Sequence, residues 1–493
     1  MLEKDLLGTI VSTNDSPSLK KFEFILESYD GDEKKIQLGQ FVICNVHNKK
    51  MVSRITNIRK VNRYYQHFEA VKEYQSHGAP LSNVFPTDKW EYTLVEAVPL
   101  GIIDADMITK PLYPPSPGEK VWKISSELLF KFIGLTEHGL HLGYVSSHDI
   151  PLKLDIDRLL GKHLAVLAMS GFGKSYFISV LIEELLKRTK DEGQISIIIL
   201  DVHGEYTYFA ESRYKDRVFL IPGHYFEIPT SSLSVYDFAS LAPQMSPIQL
   251  RELSKIIYQK RKKKEEYAMS DLIEEIINSE ISRTTKEALV GWLSQLEHYN
   301  LFGKIPNPNL KSIVKPGHLI IVDLSSLLSL RKKQIIAYWL ATRLLDLRRK
   351  NLISPFILML EEAHQFCPES SQESALSKSA IETIAREGRK FFALLGLVSQ
   401  RPVRLSTTVL SQCNSQVILR VTNPYDLKHI GETSEGIDKA ALDSITTLDV
   451  GEALFIGESV RLPTFAKIRK RAITPSGKIN SLSEAARQFV PIE

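Results

Sequence analysis

Along the first 150 residues the apolar positions come in short segments, at 7–12, 22–26, 41–46, 90–98 and 140–145, each closed off by turn-forming residues. Short, regularly broken strands of this kind predict a small β-barrel or β-sandwich. The run Pro111-Leu-Tyr-Pro-Pro-Ser-Pro-Gly118 is a loop within or beside it. Past residue 160 the pattern changes. An apolar strand just before Gly171 is followed by others at 195–200, 318–324, 356–360, 394–398, 416–421 and 453–456, with stretches of helical spacing between them. Strands alternating with helices predict a mostly parallel sheet in an α/β domain. One interruption, at about 236–311, reads as helical, and Ser246-Pro247 makes a good helix start there, a capping hydroxyl followed by proline in the first turn.

At 493 residues the chain exceeds one ordinary core. It is expected to divide into a barrel at 1–150, an α/β domain at 151–470 and a tail at 471–493 carrying one short helix at 481–489. With 43% hydrophobic and 24% charged residues the composition is that of an ordinary globular protein. The net charge of +4 permits an acidic partner without requiring one. Cys44, Cys367 and Cys413 have no paired spacing, which speaks against a disulfide framework or a zinc site and for a reducing cytosol. No apolar run approaches the ~20 residues that span a bilayer, and the acidic start is no secretory signal. A soluble cytoplasmic protein with no membrane partner is expected.

The candidate chemistry begins at Ala168-Met-Ser170-Gly171-Phe172-Gly173-Lys174-Ser175-Tyr176, where the first apolar strand meets a helix reaching to about residue 190. Gly171 and Gly173 let the backbone curl so that successive N–H groups point at phosphate oxygens. Lys174 reaches the β- and γ-phosphates, and the Ser175 hydroxyl is placed to hold Mg2+. Phe177, Val180, Leu181 and Leu185 recur near helical spacing with polar residues between, so an amphipathic helix is expected, its N-terminus adding positive charge under the phosphates. Ala168 stands where the usual pattern has its first glycine, which is tolerable if its φ stays negative.

Phosphate binding alone leaves kinase, GTPase and motor open. Phe356-Ile-Leu-Met-Leu-Glu361-Glu362-Ala-His364 narrows this, because an apolar strand ending in two acids puts Glu361 near the Mg2+ shell and lets Glu362 polarise an attacking water. A second strand ends Asp201-Val-His203-Gly204-Glu205-Tyr206. Strand ends face the ligand crevice in such sheets, so Asp201 and Glu205 are expected to look onto the nucleotide. His203 is a structural hydrogen bonder or a ligand. Ala385-Arg386-Glu387-Gly388-Arg389-Lys390 puts two arginines near the carboxyl-side surface; Arg389 suits either a transition-state fork or a surface salt bridge, and Gln400 either a γ-phosphate sensor or a turn contact. In the interruption, Lys260-Arg-Lys-Lys-Lys264 before Glu265-Glu266 is either a solvated helix face or a contact to a phosphate backbone.

Taken in order, Ala-Met-Ser-Gly-Phe-Gly-Lys-Ser, Asp-Val-His-Gly-Glu-Tyr, Leu-Glu-Glu-Ala-His, Ile-Ala-Arg-Glu-Gly-Arg-Lys and Val-Ser-Gln-Arg-Pro resemble the HerA ATPases of the HerA/FtsK group of hexameric DNA translocases. The resemblance is strong over about 160–460 and rests on pattern alone before that. It implies a RecA-like P-loop ATPase domain behind an N-terminal barrel of the HAS type. It further implies ATP and Mg2+ as cofactors, a homo-hexamer around double-stranded DNA, and a NurA-type nuclease as partner in resecting DNA ends, with room for a recombination nuclease–ATPase complex. By the same resemblance Lys174 and Ser175 bind nucleotide and Mg2+, Glu361 is the metal-side acid, Glu362 the base, Gln400 the sensor and Arg389 a finger acting on the adjacent subunit. Lys162 falls where relatives often carry a basic residue. Phe391-Phe392 departs from them, since an aromatic followed by glycine is common there.

The resemblance thus leads to an ATP-driven DNA translocase or helicase in double-strand-break repair. Two other readings stay open: a motor subunit of an antiphage defence complex, and a nucleotide-gated scaffold that does not translocate. The acid pair Glu361-Glu362 argues against the scaffold, which has no use for a general base.

Overall fold

The computed structural model describes residues 5–475 except 14, 30–31, 34–35, 63–64, 66–70, 73–90, 105–106, 370–374, 435–436 and 438, together with 483, 486 and 487. The tail helix expected at 481–489 thus falls almost wholly outside the described residues. Two compact units are distinguished, one formed by 1–139, 143–153 and 460–467, the other by 140–142, 154–459 and 468–493.

In the first unit six strands close on themselves: β1 (Leu6–Val11), β2 (Phe22–Leu26), β3 (Phe41–Val46), β4 (Lys49–Asn62), β5 (Glu91–Asp104) and β6 (Lys120–Lys123). Round the barrel the order is β2-β1-β6-β3-β4-β5 and back to β2, every pairing antiparallel. Closure removes the exposed sheet edges that an open six-stranded sheet would present. Phe22, Phe24, Val42, Cys44, Met51, Val95 and Val121 fill the interior. β5 runs on past the apolar segment expected at 90–98, through Pro99 and Gly101. The register shifts opposite them, between Val52 and Ser53, so that Leu100 is the extra residue, next to a proline that cannot donate to the ladder. β4 has no counterpart among the predicted strands, because lysine and arginine occupy its exposed positions and break the apolar pattern.

The second unit contains β7 (Leu164–Leu167), β8 (Ser196–Asp201), β9 (Val218–Pro222), β10 (Leu319–Asp323), β11 (Phe356–Leu360), β12 (Ala393–Ser399), β13 (Ser415–Ile418) and β14 (Glu452–Gly457). Their order is β9-β10-β8-β11-β12-β7-β13-β14. Neighbours are parallel throughout, save that β14 runs antiparallel to β13. Every residue of β8, β11 and β12 is buried, which is why these strands read as continuous apolar runs. The edge strand β9 escaped the sequence pattern because it is only half-buried.

Between β9 and β10 stand α2 (Val235–Leu241), α3 (Pro247–Lys262), α4 (Met269–Asn278) and α5 (Arg283–Glu297), while α1 (Lys174–Lys187) follows β7. Ser246 caps α3 by accepting from the Gln249 N–H, with Pro247 in the first turn. In the basic run, Lys260 is buried between Glu265 and Glu275, at 3.4 and 3.2 Å, so this lysine is an internal tie of the helical layer. The three cysteines are free and buried. Among the described residues no helix is long and apolar enough to cross a membrane.

Candidate nucleotide site

The sharp turn after β7 depends on two glycines with positive φ, Gly171 at +81° and Gly173 at +93°. Neither would meet a steric wall if given a Cβ, so the backbone angle alone demands glycine. Ala168, by contrast, keeps a negative φ, and its N–H donates to the Ser399 carbonyl at 3.2 Å while Met169 N–H donates to Arg420 O at 3.0 Å. The loop is thereby pinned to the carboxyl ends of β12 and β13. Gly173 caps α1 with no side chain on the helix's first N–H groups, which leaves those donors and the positive end of the helix dipole for an anion.

α1 departs from the amphipathic helix expected. Every residue from Phe177 to Leu186 is buried, Glu183 and Glu184 among them. Arg469 ties both acids, at 2.9 Å to Glu183 and 2.8 Å to Glu184, so the polar stripe faces a segment from the far end of the chain instead of water.

The carboxyl edge of the sheet carries the acids. Asp201, fully buried, accepts from the N–H groups of Glu205 and Tyr206, both at 2.9 Å, and so organises the turn that follows β8. Gly204 in that turn takes φ +69°. Glu205 is thereby aimed at the phosphate loop, where its carboxylate accepts from the Ser175 hydroxyl. Glu361 accepts from the N–H groups of Val202 and His203, at 2.7 and 3.2 Å. Burial, then the neighbouring charges of Asp201 and Glu205, push its carboxyl well above the ordinary range. Buried acids crowded together in this way make a place where a cation would be welcome. Ser175, Glu205, Glu361 and Asp201 offer oxygen only, the donor chemistry of Mg2+. Among the described residues no group of three or more His, Cys, Asp or Glu is placed to hold a metal ion.

Glu362 adopts φ +49°, ψ +47°, a left-handed conformation that costs a non-glycine residue about 1 kcal/mol or more. The strain turns a buried carboxylate toward Lys174. Its Oε2 accepts no hydrogen bond; His364 Nδ1 is 3.3 Å away but is bonded to Ser399 Oγ at 3.2 Å. His203 Nε2 stands 4.0 Å from Oε1. Burial raises the Glu362 carboxyl above its ordinary range, against the pull of Lys174, of His203 and of the Gln400 N–H. Burial lowers the Lys174 ammonium, with Glu362, Glu205 and Glu361 restoring part of the loss. The strained acid with an unsatisfied oxygen has the features of a general base.

Arg389 and Lys162 lie elsewhere. The arginine block was expected near the carboxyl-side surface, but it precedes β12, and because β12 runs parallel to β7 the block sits at the amino end of the sheet, opposite the phosphate loop. There an open cleft of about 980 Å³ is lined by Arg158, Lys162, Arg386, Arg389 and Lys390 against only Asp157 and Glu458 as acids. Lys162 pairs with Glu458, and Arg386 with Glu382 at 3.3 Å. Arg389 forms no ion pair with a described residue. Phe392 takes φ +54°, a left-handed conformation that glycine adopts without strain.

Lys333 was not singled out from the sequence. Its ammonium is lowered by burial and faces Glu361 and Asp323, and only the fold brings it there. Arg471 was missed for the same reason. Its guanidinium lies 5.0 Å from the centroid of the Tyr176 ring.

Residues 140–343 match the family model described as "Helicase HerA, central domain". A probable helicase of Methanocaldococcus jannaschii is 29% identical, over 94% of this chain and 96% of that one. The DNA double-strand break repair helicase HerA of Sulfolobus acidocaldarius is also 29% identical, over 92% of each chain. Among solved structures, VirB4 of Thermoanaerobacter pseudethanolicus superposes with a TM-score of 0.53 at 17% identity, covering 68% of this chain and 97% of that one, a likeness of fold. With a HerA-type central domain at 140–343, relatives of that kind over most of its length and a phosphate loop facing an acid pair, the chain is similar to the HerA-type helicases and is an ATP-hydrolysing enzyme.

Proposed function

We propose that this protein is an ATP-driven motor on double-stranded DNA, assembled as a homo-hexameric ring and acting in end resection beside a NurA-type nuclease. Support for the DNA-repair part comes from relatives named as double-strand break repair helicases. The observation that carries the shared-site part is the division of labour between two edges of one sheet: phosphate loop and acids on the carboxyl edge, an arginine-rich cleft on the amino edge.

The chemistry then runs as follows. The N–H groups of Ser170 to Tyr176 and the Lys174 ammonium cradle the β- and γ-phosphates. The free Oε2 of Glu362 takes a proton from a water as its oxygen attacks the γ-phosphorus and the bond to ADP breaks. The Gln400 N–H, which pulls the Glu362 carboxyl down, would link the state of the base to the presence of the γ-phosphate. Ser175, Glu205 and Glu361 would hold Mg2+, which neutralises charge on the phosphates when bound. Arg389 of one subunit, with Lys162 beside it, meets the spreading transition-state charge at the next subunit's phosphate loop. Release of that contact after hydrolysis moves DNA by its backbone, so travel is largely independent of sequence.

A triplex-displacement assay on linear duplex DNA tests this. ATP should drive displacement by the native chain, and Glu362→Gln should bind ATP yet displace nothing. Steady ATP consumption without displacement would instead make the protein a nucleotide-gated scaffold.

A further inference from the structure

The segment 469–473 is a built part of the ATPase unit, held by fully buried groups. Glu183, with no exposed surface, accepts at one oxygen from the N–H groups of Ala472 and Ile473, both at 2.8 Å, and at the other from the Arg469 guanidinium. Arg469 also donates to the His141 carbonyl at 2.8 Å. Unpairing so buried a carboxylate would leave an uncompensated charge in the interior, so these contacts hold the strap firmly against α1. They fix Arg471 in the middle of the strap: its N–H donates to the Tyr176 hydroxyl at 2.9 Å, and its guanidinium carbon lies over the rings of Tyr176 and Tyr208, 5.0 and 6.0 Å from their centroids.

Tyr176 directly follows Ser175, in the first turn of the helix whose N-terminus faces the phosphates. The strand order decides which end of a nucleotide reaches it. β12 and β11, bearing Gln400 and Glu362, lie on one side of β7, so the γ-phosphate points there. β13 and β14 lie on the other side, and α1 packs that way, with Phe177 edge-on to Phe455 of β14 at 5.9 Å. The base, at the opposite end of the nucleotide from the γ-phosphate, belongs on this second side. Arg471 pairs with no carboxylate among the described residues and is partly exposed.

We propose that Arg471, delivered by the strap and backed by Tyr176, forms the nucleobase face of the ATP site and takes the purine ring by stacking. This rests on the phosphate-loop reading above. Flat guanidinium and aromatic faces hold a base through dispersion and cation–π attraction, and neither needs a hydrogen-bond code.

Titration of the full chain with Mg2+-ATP and with Mg2+-tripolyphosphate, which has the phosphates but no base, separates the two ideas. Arg471→Ala should weaken ATP about tenfold and leave tripolyphosphate unchanged. Arg471→Lys, which keeps the charge and the strap's backbone contacts but lacks the plane, should weaken ATP as well, and thermal melts of both variants show whether the unit stays folded. Unchanged ATP affinity in the Lys variant, or an equal loss for tripolyphosphate in the Ala variant, would overturn the proposal. Lys174→Ala should weaken both ligands; if it weakens neither, the phosphate-loop reading fails instead.

Discussion

A site divided between two sheet edges can be taken apart and reassembled by mixing. β12 spans the seven residues Ala393–Ser399, so at ~3.3 Å per residue roughly 20 Å of strand separates the arginine block from the phosphate-loop edge. No arginine side chain covers that distance, so on the proposed reading Arg389 serves a neighbour's nucleotide. Arg389→Ala alone should then lose about a thousandfold in turnover while still binding ATP, the usual loss when an arginine finger is removed. Lys174→Ala alone should be equally inactive. Combined and allowed to exchange subunits, the two variants form a complete site wherever a subunit with native Lys174 precedes one with native Arg389. At equal mixing that is one half times one half, about a quarter of all interfaces in a closed ring. Phosphate release measured across mixing ratios should therefore peak at equal proportions, near a quarter of the native rate and hundreds of times above either parent. Two results would refute the reasoning: native turnover by Arg389→Ala alone, or no recovery when differently tagged subunits are shown to co-purify in one assembly.

The base should show itself in the pH profile. Glu362 must be ionised to accept a proton, and burial raises its carboxyl, so turnover at saturating ATP should fall on the acid side with an apparent pKa above the ordinary carboxylate value of 4.5. Glu362→Gln should abolish that limb together with about 100-fold or more of the rate, and a native profile flat down to pH 4.5 would count against the assignment. Stability should weaken with acid for a separate reason. His163 joins the starts of β7 and β12, its Nδ1 accepting from Leu395 N–H at 2.9 Å and its Nε2 donating to Ala385 O at 3.0 Å, and burial lowers it from 6.5 to about 4. The unfolded chain binds this proton first, so the neutral ring's contribution is whole above pH 6.5 and is lost as pH falls toward 4, by roughly 3 kcal/mol from this group. Thermal melts between pH 7 and 4.5 should show the decline, and His163→Gln should flatten part of it.

How much of this was legible in the chain depends on what hid each residue. The strands β8, β11 and β12 could be read because both faces are covered, and two-sided burial leaves a continuous apolar run. β4 and β9 could not, because one face meets water and charged or half-exposed residues interrupt the pattern. Gly171, Gly173, Lys174 and Ser175 announce a phosphate cradle locally, since the backbone angles and the charge that make it lie within a few consecutive residues. The acid pair at the end of β11 is likewise local. The amphipathic reading of α1 went astray at Glu183 and Glu184, whose partner Arg469 lies more than 280 positions away.

Short stretches of backbone thus carry their own chemistry: the loop that binds phosphate, the acids at strand ends, and the change from barrel strands to α/β alternation. Which edge each group occupies follows from the order and direction of the strands. The parallel direction of β12 carried Arg389 to the side opposite Lys174, and the closure of the strap over α1 set Arg471 against Tyr176. Local patterns record φ, burial and charge, whereas the meeting of distant residues is fixed by strand order and by buried ion pairs that no window of sequence contains.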